Sequence, residues 1–99
     1  MKVKNMQSNN GNSIANQFII TDHGRGALGN FIVRETFQSY SSIIAIRIEW
    51  DDRTDIKLDK KYWDYSATTG KYRNQFLGEG IADTRKKIKS GIYKLIDLN

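Results

Sequence analysis

Residues 41–50 show the most regular alternation of hydrophobic and polar positions in the chain. A period of two is typical of a β-strand, whose successive side chains point to opposite faces of the sheet. One set comprises Ile44, Ile46, Ile48 and Trp50, and the other Ile43, Ala45, Arg47 and Glu49. We assign the first set to the core and expect the second to be solvated toward its charged end, as in an antiparallel sheet with one covered face.

Shorter apolar runs predict further strands around this one. Residues 17–21 and 30–37 are rich in β-branched and aromatic side chains, and a glycine-rich loop separates them, so we expect them to pair as a hairpin. A turn at residues 51–54 leads into a second alternating run at 55–59, which predicts another hairpin over residues 43–59. Residues 92–98 predict a last strand.

Two short helices are predicted after residue 59. The run from Thr69 to Leu77 places Tyr72 and Phe76 four residues apart on one face, with Gly78 as its end. Either Ser66 or the Thr68–Thr69 pair can cap its start.

The second helix is predicted to begin at Asp83 as its N-cap and to end at Ser90 and Gly91, with an inner stripe of Ile81, Thr84 and Ile88. The fold class is therefore α+β: an antiparallel sheet of about four to five strands with two short helices near the C-terminus packed on one face. Residues 12–99 are expected to form a single domain, and the polar, asparagine-rich residues 1–11 to be flexible.

Composition narrows the class of protein. The chain has 99 residues, of which 38% are hydrophobic and 27% charged, as in a folded soluble domain. It contains no cysteine, which excludes disulfides and thiolate metal sites and fits a reducing cytosol. No apolar run approaches the length of a signal sequence or a membrane span, so we expect a cytoplasmic protein without a membrane partner.

The net charge of +5 is unevenly distributed. Residues 1–59 carry equal numbers of basic and acidic side chains, whereas residues 60–99 carry nine Lys and Arg against four Asp and Glu. Such asymmetry favours a surface that binds phosphate or acidic groups, although a solvated lysine-rich helix face gives the same count. The candidate contact residues are Lys60, Lys61, Lys71, Arg73, Arg85, Lys86, Lys87 and Lys89, together with Tyr65 and Arg25.

Catalytic and cofactor motifs fail on spacing. Residues 24–29 match G-x-G-x-x-G, but a strand pattern follows where a dinucleotide fold needs a helix, so we interpret a loop with Arg25 as a contact at its tip. The chain has no cysteine nucleophile for His23, so a catalytic set would need a serine or threonine that the fold brings to it. The acidic turn at 51–55 lacks the glycine and glutamate of a calcium loop. We expect no enzyme activity, cofactor or metal.

Aromatic and basic residues interleave between residues 60 and 73. Tyr62, Trp63, Tyr65 and Tyr72 alternate with lysines and an arginine, a combination that stacks bases and neutralises phosphates and is equally common at protein interfaces. The competing interpretation places Trp63, Tyr72 and Phe76 in the core where a helix meets the sheet.

The run from Trp63 to Leu77 also carries a family resemblance. Its motif W-D-Y-S-x-T-T-x-K-Y-R-N-x-F-L, preceded by Phe37-Gln38-Ser39-Tyr40 and by Ile43 and Ala45, resembles a family of short proteins of unknown function encoded by phages and plasmids of Gram-positive bacteria. The resemblance spans residues 30–98 and implies an accessory protein of a mobile element.

Small mobile-element proteins include many inhibitors of host defence, anti-CRISPR proteins among them. The resemblance therefore implies, by association, a non-enzymatic inhibitor in the cytoplasm of the bacterial host cell. Its partner would be a host defence effector protein or ribonucleoprotein, an RNA-guided nuclease or its guide RNA, bound through the basic C-terminal surface. The alternative is a small phage or plasmid protein that binds DNA or RNA directly in replication or gene control.

Overall fold

The computed structural model describes residues 1–24 and 31–99. Its strands and helices follow in this order: β1 (Lys2–Gln7), β2 (Ser13–His23), β3 (Val33–Ser39), β4 (Ser42–Glu49), β5 (Thr54–Asp59), α1 (Ala67–Leu77), α2 (Ile81–Ser90) and β6 (Tyr93–Ile96). The α+β class is confirmed, with two helices in the C-terminal part of the chain. In the described part of the chain, no helix is long and apolar enough to span a membrane.

The six strands form one sheet in the order of the chain, one or two more strands than the sequence predicts. Neighbours from β1 to β5 pair antiparallel, so the predicted hairpins β2–β3 and β4–β5 are confirmed. The last strand differs, because β6 runs parallel to β5. A parallel neighbour needs a crossover connection, and here α1 and α2 provide it.

The N-terminal segment differs from the expectation of a flexible tail. Residues 2–7 form β1 and pair with β2 in the register Lys2 to Thr21 and Val3 to Ile20. Met6 is buried in the hydrophobic core, and the Gln75 side chain of α1 donates to the carbonyl oxygen of Gln7 at 3.0 Å. A polar composition did not prevent pairing, because edge strands commonly carry lysine and polar residues toward solvent.

Both helices cover the same face of the sheet. Phe37 of β3 stacks on Phe76 of α1 at 5.9 Å between ring centroids, and Phe37 pairs with Ala45 across the strands. Ile56 of β5 pairs with Arg47 of β4 on one side and with Tyr93 of β6 on the other, so these three side chains share one face of the sheet. The Tyr93 hydroxyl donates to Glu79, which lies just before α2. The core lies between this face and the helices, and it comprises Met6, Ile19, Phe37, Ile44, Ala45, Leu58, Tyr72, Phe76 and Tyr93.

The assignment of faces in β4 was wrong. Arg47 lies under α1, where its guanidinium is 4.5 Å from the Phe76 ring centroid and donates to the Phe76 carbonyl at 2.9 Å. Ile46 and Ile48 alternate with it and therefore lie on the face away from the helices, where they are half-buried. A register shift opposite Phe37 and Gln38 buries both Ile44 and Ala45, which breaks the simple alternation.

The helix ends follow local signals. Ser66 caps α1 by accepting from the Thr69 N–H at 3.1 Å, and Gly78 ends it with a φ of 71°. The second helix begins earlier than predicted, at Ile81 after Gly80, so Asp83 lies in its first turn and is not the N-cap. An acidic side chain there still favours the positive end of the helix dipole.

Candidate partner-binding surface

The turn that carries Lys60 and Lys61 is held by Asp59. One carboxylate oxygen accepts from the N–H groups of Lys61 at 3.0 Å and Tyr62 at 2.8 Å, and the other accepts from Leu98 at 2.8 Å. Burial alone would raise the pKa of Asp59, but these backbone donors outweigh it and hold the pKa below 3.8, the usual value. The ionised carboxylate therefore links the end of β5 to the turn and to the C-terminal tail. The side chains of Lys60 and Lys61 are exposed.

Arg73 links this turn to α1. Its Nη1 donates to the Trp63 carbonyl at 2.9 Å and to Asp64 Oδ1 at 2.8 Å, and its Nη2 donates to Asn74 Oδ1 at 3.0 Å. The guanidinium also lies 5.3 Å from the Trp63 ring centroid. Only 2% of Arg73 is exposed, so the expectation that it belongs to the exposed basic surface was wrong.

The aromatic residues of the motif divide between core and surface. Tyr72 and Phe76 are buried, as the core interpretation predicts, and Trp63 is half-buried and packs against that core. Tyr65 remains 44% exposed, with its ring edge to face with Tyr62 at 5.6 Å. Tyr65 is therefore the aromatic side chain of the motif that a partner can reach most easily.

The second helix turns most of its cations toward solvent. Thr84 is buried and Ile81 and Ile88 are partly buried, so the predicted inner stripe is confirmed. Together with Lys71 of α1 and the lysines of the turn, the exposed cations of α2 form what we call the basic helical surface. Its members are Lys60, Lys61, Lys71, Arg85, Lys86 and Lys89.

Lys87 was a candidate contact residue from the sequence, but its ammonium group is paired with a carboxylate of the fold. Its Nζ lies 2.6 Å from Glu79 Oε1, and its side chain is 39% exposed. Glu79, whose side chain is 8% exposed, also accepts from the Thr84 hydroxyl at 2.7 Å and the Tyr93 hydroxyl at 2.8 Å. This cluster attaches α2 to β6, so Lys87 is engaged within the fold.

The cluster shifts the pKa of each ionisable member. Burial alone would raise the pKa of Glu79, but hydrogen bonds from Lys87, Thr84 and Tyr93 outweigh it and lower the pKa below 4.5. The bond to Glu79 raises the pKa of Lys87. Burial and the same carboxylate raise the pKa of Tyr93.

These shifts predict how stability depends on pH. A carboxylate with a lowered pKa in the folded state stabilises it fully above its unfolded pKa, and the contribution disappears as the pH falls through the folded value. We expect Glu79→Gln to lower the free energy of unfolding by about 1–3 kcal/mol at pH 7. Denaturant titrations should show this difference shrinking as the pH falls from about 5 to about 3; a difference that stays constant would contradict the assignment.

A shallow depression of about 550 Å³, wide open to solvent, lies between the turn, α1 and the start of α2, and we call it the cleft. Lys71 and Arg85, from different helices, both line it, and Tyr65 and Asn74 lie at its wall. Asp64 is shared there: besides its bond to Arg73, its Oδ2 lies 3.6 Å from Arg85 Nη2. The lining residues are Asp64, Tyr65, Ser66, Ala67, Gly70, Lys71, Arg73, Asn74, Ile81 and Arg85.

Two expectations from the sequence, a contact at Arg25 and the absence of a metal, stay predictions. Arg25 and most of the glycine-rich loop lie outside the described residues, so a contact at Arg25 stays a prediction. Within residues 1–24 and 31–99, no group of three or more His, Asp or Glu side chains is arranged to hold a metal ion.

Sequence reasoning missed the cleft and the role of Asp64. Asp64 contacts arginines nine and 21 positions further along the chain, and α1 and α2 must pack before these contacts exist. The helical register did contain a signal for the burial of Arg73, because Thr69, Arg73 and Phe76 follow the spacing of one helix face.

Comparison with known proteins gives a family and no activity. A protein-family model described as "Family of unknown function (DUF8033)" matches residues 1–93, and the chain belongs to this family. No curated protein and no solved structure matches the chain.

Proposed function

We propose that this member of the family is a non-enzymatic accessory protein of a mobile element that inhibits a host defence system. It would act in the bacterial cytoplasm by docking the basic helical surface on a ribonucleoprotein, an RNA-guided nuclease with its guide RNA. One observation supports this most: six cations of the turn and of both helices are exposed, and two of them, Lys71 and Arg85, line the same cleft.

The electrostatics of this layer favour an anionic partner. Arg73 and Lys87 are engaged by Asp64 and Glu79, so two of the four acidic side chains in residues 60–99 are used inside the fold. The other two acidic residues of that segment are exposed and are outnumbered by the six cations of the basic helical surface. A positive surface of this kind attracts phosphates and accelerates encounter with a nucleic-acid-containing partner.

Charge reversal at two exposed lysines of α2 tests the proposal. We expect Lys86→Glu with Lys89→Glu to weaken binding to a purified RNA-guided nuclease loaded with guide RNA by at least about tenfold, and to relieve inhibition of target-DNA cleavage. Lys87 is left intact, because a glutamate there would repel Glu79 and disturb the fold.

The matched control is Lys2→Glu with Lys4→Glu, which changes the net charge equally. Both residues are exposed on β1, at the opposite edge of the sheet from β6, against which α2 packs. We expect affinity within about twofold of the wild type, since charges more than a Debye length from the contact are screened. Equal losses for both pairs, measured over a panel of such nucleases, would contradict a localised contact.

Naked nucleic acid separates this proposal from its alternative. The exposed cations also suit a small protein that binds DNA or RNA directly in replication or gene control. Such binding should weaken linearly in log salt, losing orders of magnitude between about 50 and 200 mM if ~6 or more phosphates are contacted. Strong binding to duplex DNA or to free RNA, without inhibition of any nuclease complex, would favour that alternative.

A further inference from the structure

The cleft beside α1 has the composition of an anion-binding site. It combines Lys71, Arg73 and Arg85 with one carboxylate, Asp64, so positive charge is in excess. Ser66 and Ala67 also line it, at the end of α1 where the first backbone N–H groups have no intrahelical acceptor. Ser66 satisfies the N–H of Thr69, which leaves those of Ala67 and Thr68 at the positive end of the helix dipole.

Arg73 provides an observation independent of the helix end. Arg73 is among the residues that line the cleft although it is almost completely buried, and its buried Nε–H has no acceptor among the described residues. A buried cationic group with an unpaired donor is unfavourable unless other interactions compensate for it. An anion in the cleft would add such an interaction by lowering the electrostatic energy of the whole guanidinium.

Gly70 lies beside the Arg73–Asp64 ion pair at the edge of the cleft. It lies inside α1, where glycine is less favourable than alanine, and it lines the cleft. A Cβ at this position would meet Arg73 Nη2 at 3.5 Å, which is ordinary van der Waals contact, so packing alone does not require glycine. The same Cβ would lie 3.8 Å from Asp64 Oδ1, so a methyl group here would shield the Arg73–Asp64 ion pair from a ligand in the cleft.

Tyr65 gives the cleft an aromatic wall. Its ring is exposed, and it makes an edge-to-face contact with the Tyr62 ring. An exposed tyrosine beside a basic groove is the arrangement on which single-stranded bases stack in a sequence-tolerant way. Paired bases are already stacked and cannot reach such a platform.

We infer that the cleft binds one nucleotide of a single-stranded nucleic acid. The phosphodiester lies between Lys71, Arg85 and the start of α1, and the base stacks on Tyr65. In the free protein Asp64 occupies Arg85, so the incoming phosphate displaces a carboxylate from it. This inference rests on the proposed function, since the ligand would be an exposed stretch of guide RNA in the ribonucleoprotein.

The probes are a fluorescent oligouridylate of about 12 nucleotides, long enough to fill a single-strand site, and an abasic strand with the same number of phosphates. Tyr65→Ala should weaken binding of oligouridylate by about 5- to 150-fold and leave the abasic strand unchanged. Tyr40→Ala is the control, because Tyr40 is similarly exposed and does not line the cleft. Equal losses for both strands, or no loss, would overturn the stacking role.

The phosphate contacts of Lys71 and Arg85 are tested by the salt dependence of the affinity and by removing the charge of Asp64. Lys71→Gln with Arg85→Gln should reduce the slope of log affinity against log salt by about 1.4, which corresponds to two contacts on a single strand. Asp64→Asn keeps an acceptor for Arg73 and should raise affinity about fivefold, by removing the competing charge at Arg85. Asp83→Asn makes the same charge change on the exposed side of α2 and should have a smaller effect.

Gly70→Ala separates the site from the stability of the fold. The substitution should raise the melting temperature by about 2–8 °C. It should also weaken oligouridylate binding, since the methyl group would lie beside Arg73 Nη2 and Asp64 Oδ1 and shield the guanidinium from the phosphate. A more stable variant with unchanged binding would overturn the inference that the cleft holds the strand.

The outcomes distinguish this inference from the proposed function. If the wild type binds the loaded nuclease but the cleft variants bind both it and oligouridylate normally, the inference fails and the proposed function stands. The inference fails in the same way if the wild type binds the loaded nuclease but no oligouridylate at low salt. If the wild type binds and inhibits no loaded nuclease, the proposed function fails, whatever the cleft variants do.

Discussion

Replacing Arg73 with alanine is expected to lower the free energy of unfolding by about 3–5 kcal/mol. The substitution removes the partner of Asp64 and leaves the Trp63 carbonyl without its donor. It also opens a cavity where the stem of the arginine is now buried. Because small domains are stable by only about 5–15 kcal/mol, a loss of this size should lower the melting temperature by more than ~12 °C.

Two further variants show whether the geometry of the guanidinium is responsible. Arg73→Lys keeps the charge, but one ammonium group cannot reproduce the planar fork that reaches Trp63, Asp64 and Asn74, so most of the loss should remain. Lys71→Ala removes an exposed cation two residues earlier in α1 and should change stability by less than ~0.5 kcal/mol. Thermal unfolding that is unchanged in Arg73→Ala would mean that the turn is held by other contacts.

Phe37→Ala is expected to destabilise the protein by a similar amount, about 3–5 kcal/mol. Phe37 is fully buried, and its ring contacts Phe76 at the point where α1 crosses the sheet. Truncation removes this contact and leaves a cavity that the paired strands β2 and β4 cannot close without distorting the sheet. Urea titration monitored by circular dichroism measures the loss.

Phe18→Ala is the matched control for the assignment of faces. Phe18 pairs with Gln38, the neighbour of Phe37, so its ring lies on the face away from the helices and is half-buried. We expect a clearly smaller loss of stability than for Phe37→Ala. Losses of equal size would contradict the assignment of the core to the helical face.

Elements with local signals were predictable from the sequence. The end of α1 follows from Gly78, which adopts the left-handed conformation that ends many helices. Its start lies at the predicted group of hydroxyl residues, although the sequence did not decide between Ser66, which is the cap, and the Thr68–Thr69 pair. The hairpin β4–β5 follows from two alternating runs joined by a short turn. In each case the determinant lies within a few residues of the element it defines.

Elements that depend on distant partners were not predictable in this way. β1 has little hydrophobic pattern of its own, and its pairing with β2 together with the burial of Met6 makes it a strand. The direction of β6 depends on the crossover through α1 and α2. In β4 both sets of alternating positions contain isoleucine or alanine, so periodicity could not decide which face the helices cover.

In the candidate site, too, local features could be predicted from the sequence and contacts between distant residues could not. Counting charges correctly located the excess of cations in residues 60–99, but it could not show which of them the fold engages. Asp64 and Glu79 engage Arg73 and Lys87, and the cations of the basic helical surface stay exposed. Several residues of the motif from Trp63 to Leu77 pack α1 against the turn and the sheet, while Tyr65 and Lys71 are among its exposed members.

The most direct measurement of the proposed contact is the chemical reactivity of each lysine, measured by mass spectrometry after brief acetylation of the free protein and of its complex with a guide-loaded nuclease. We expect protection of Lys60, Lys61, Lys71, Lys86 and Lys89 in the complex. Lys2, Lys4 and Lys94 are also exposed in the free protein but lie on other surfaces, and their reactivity should not change. Protection of these three residues, with unchanged reactivity in the basic helical surface, would contradict docking through that surface.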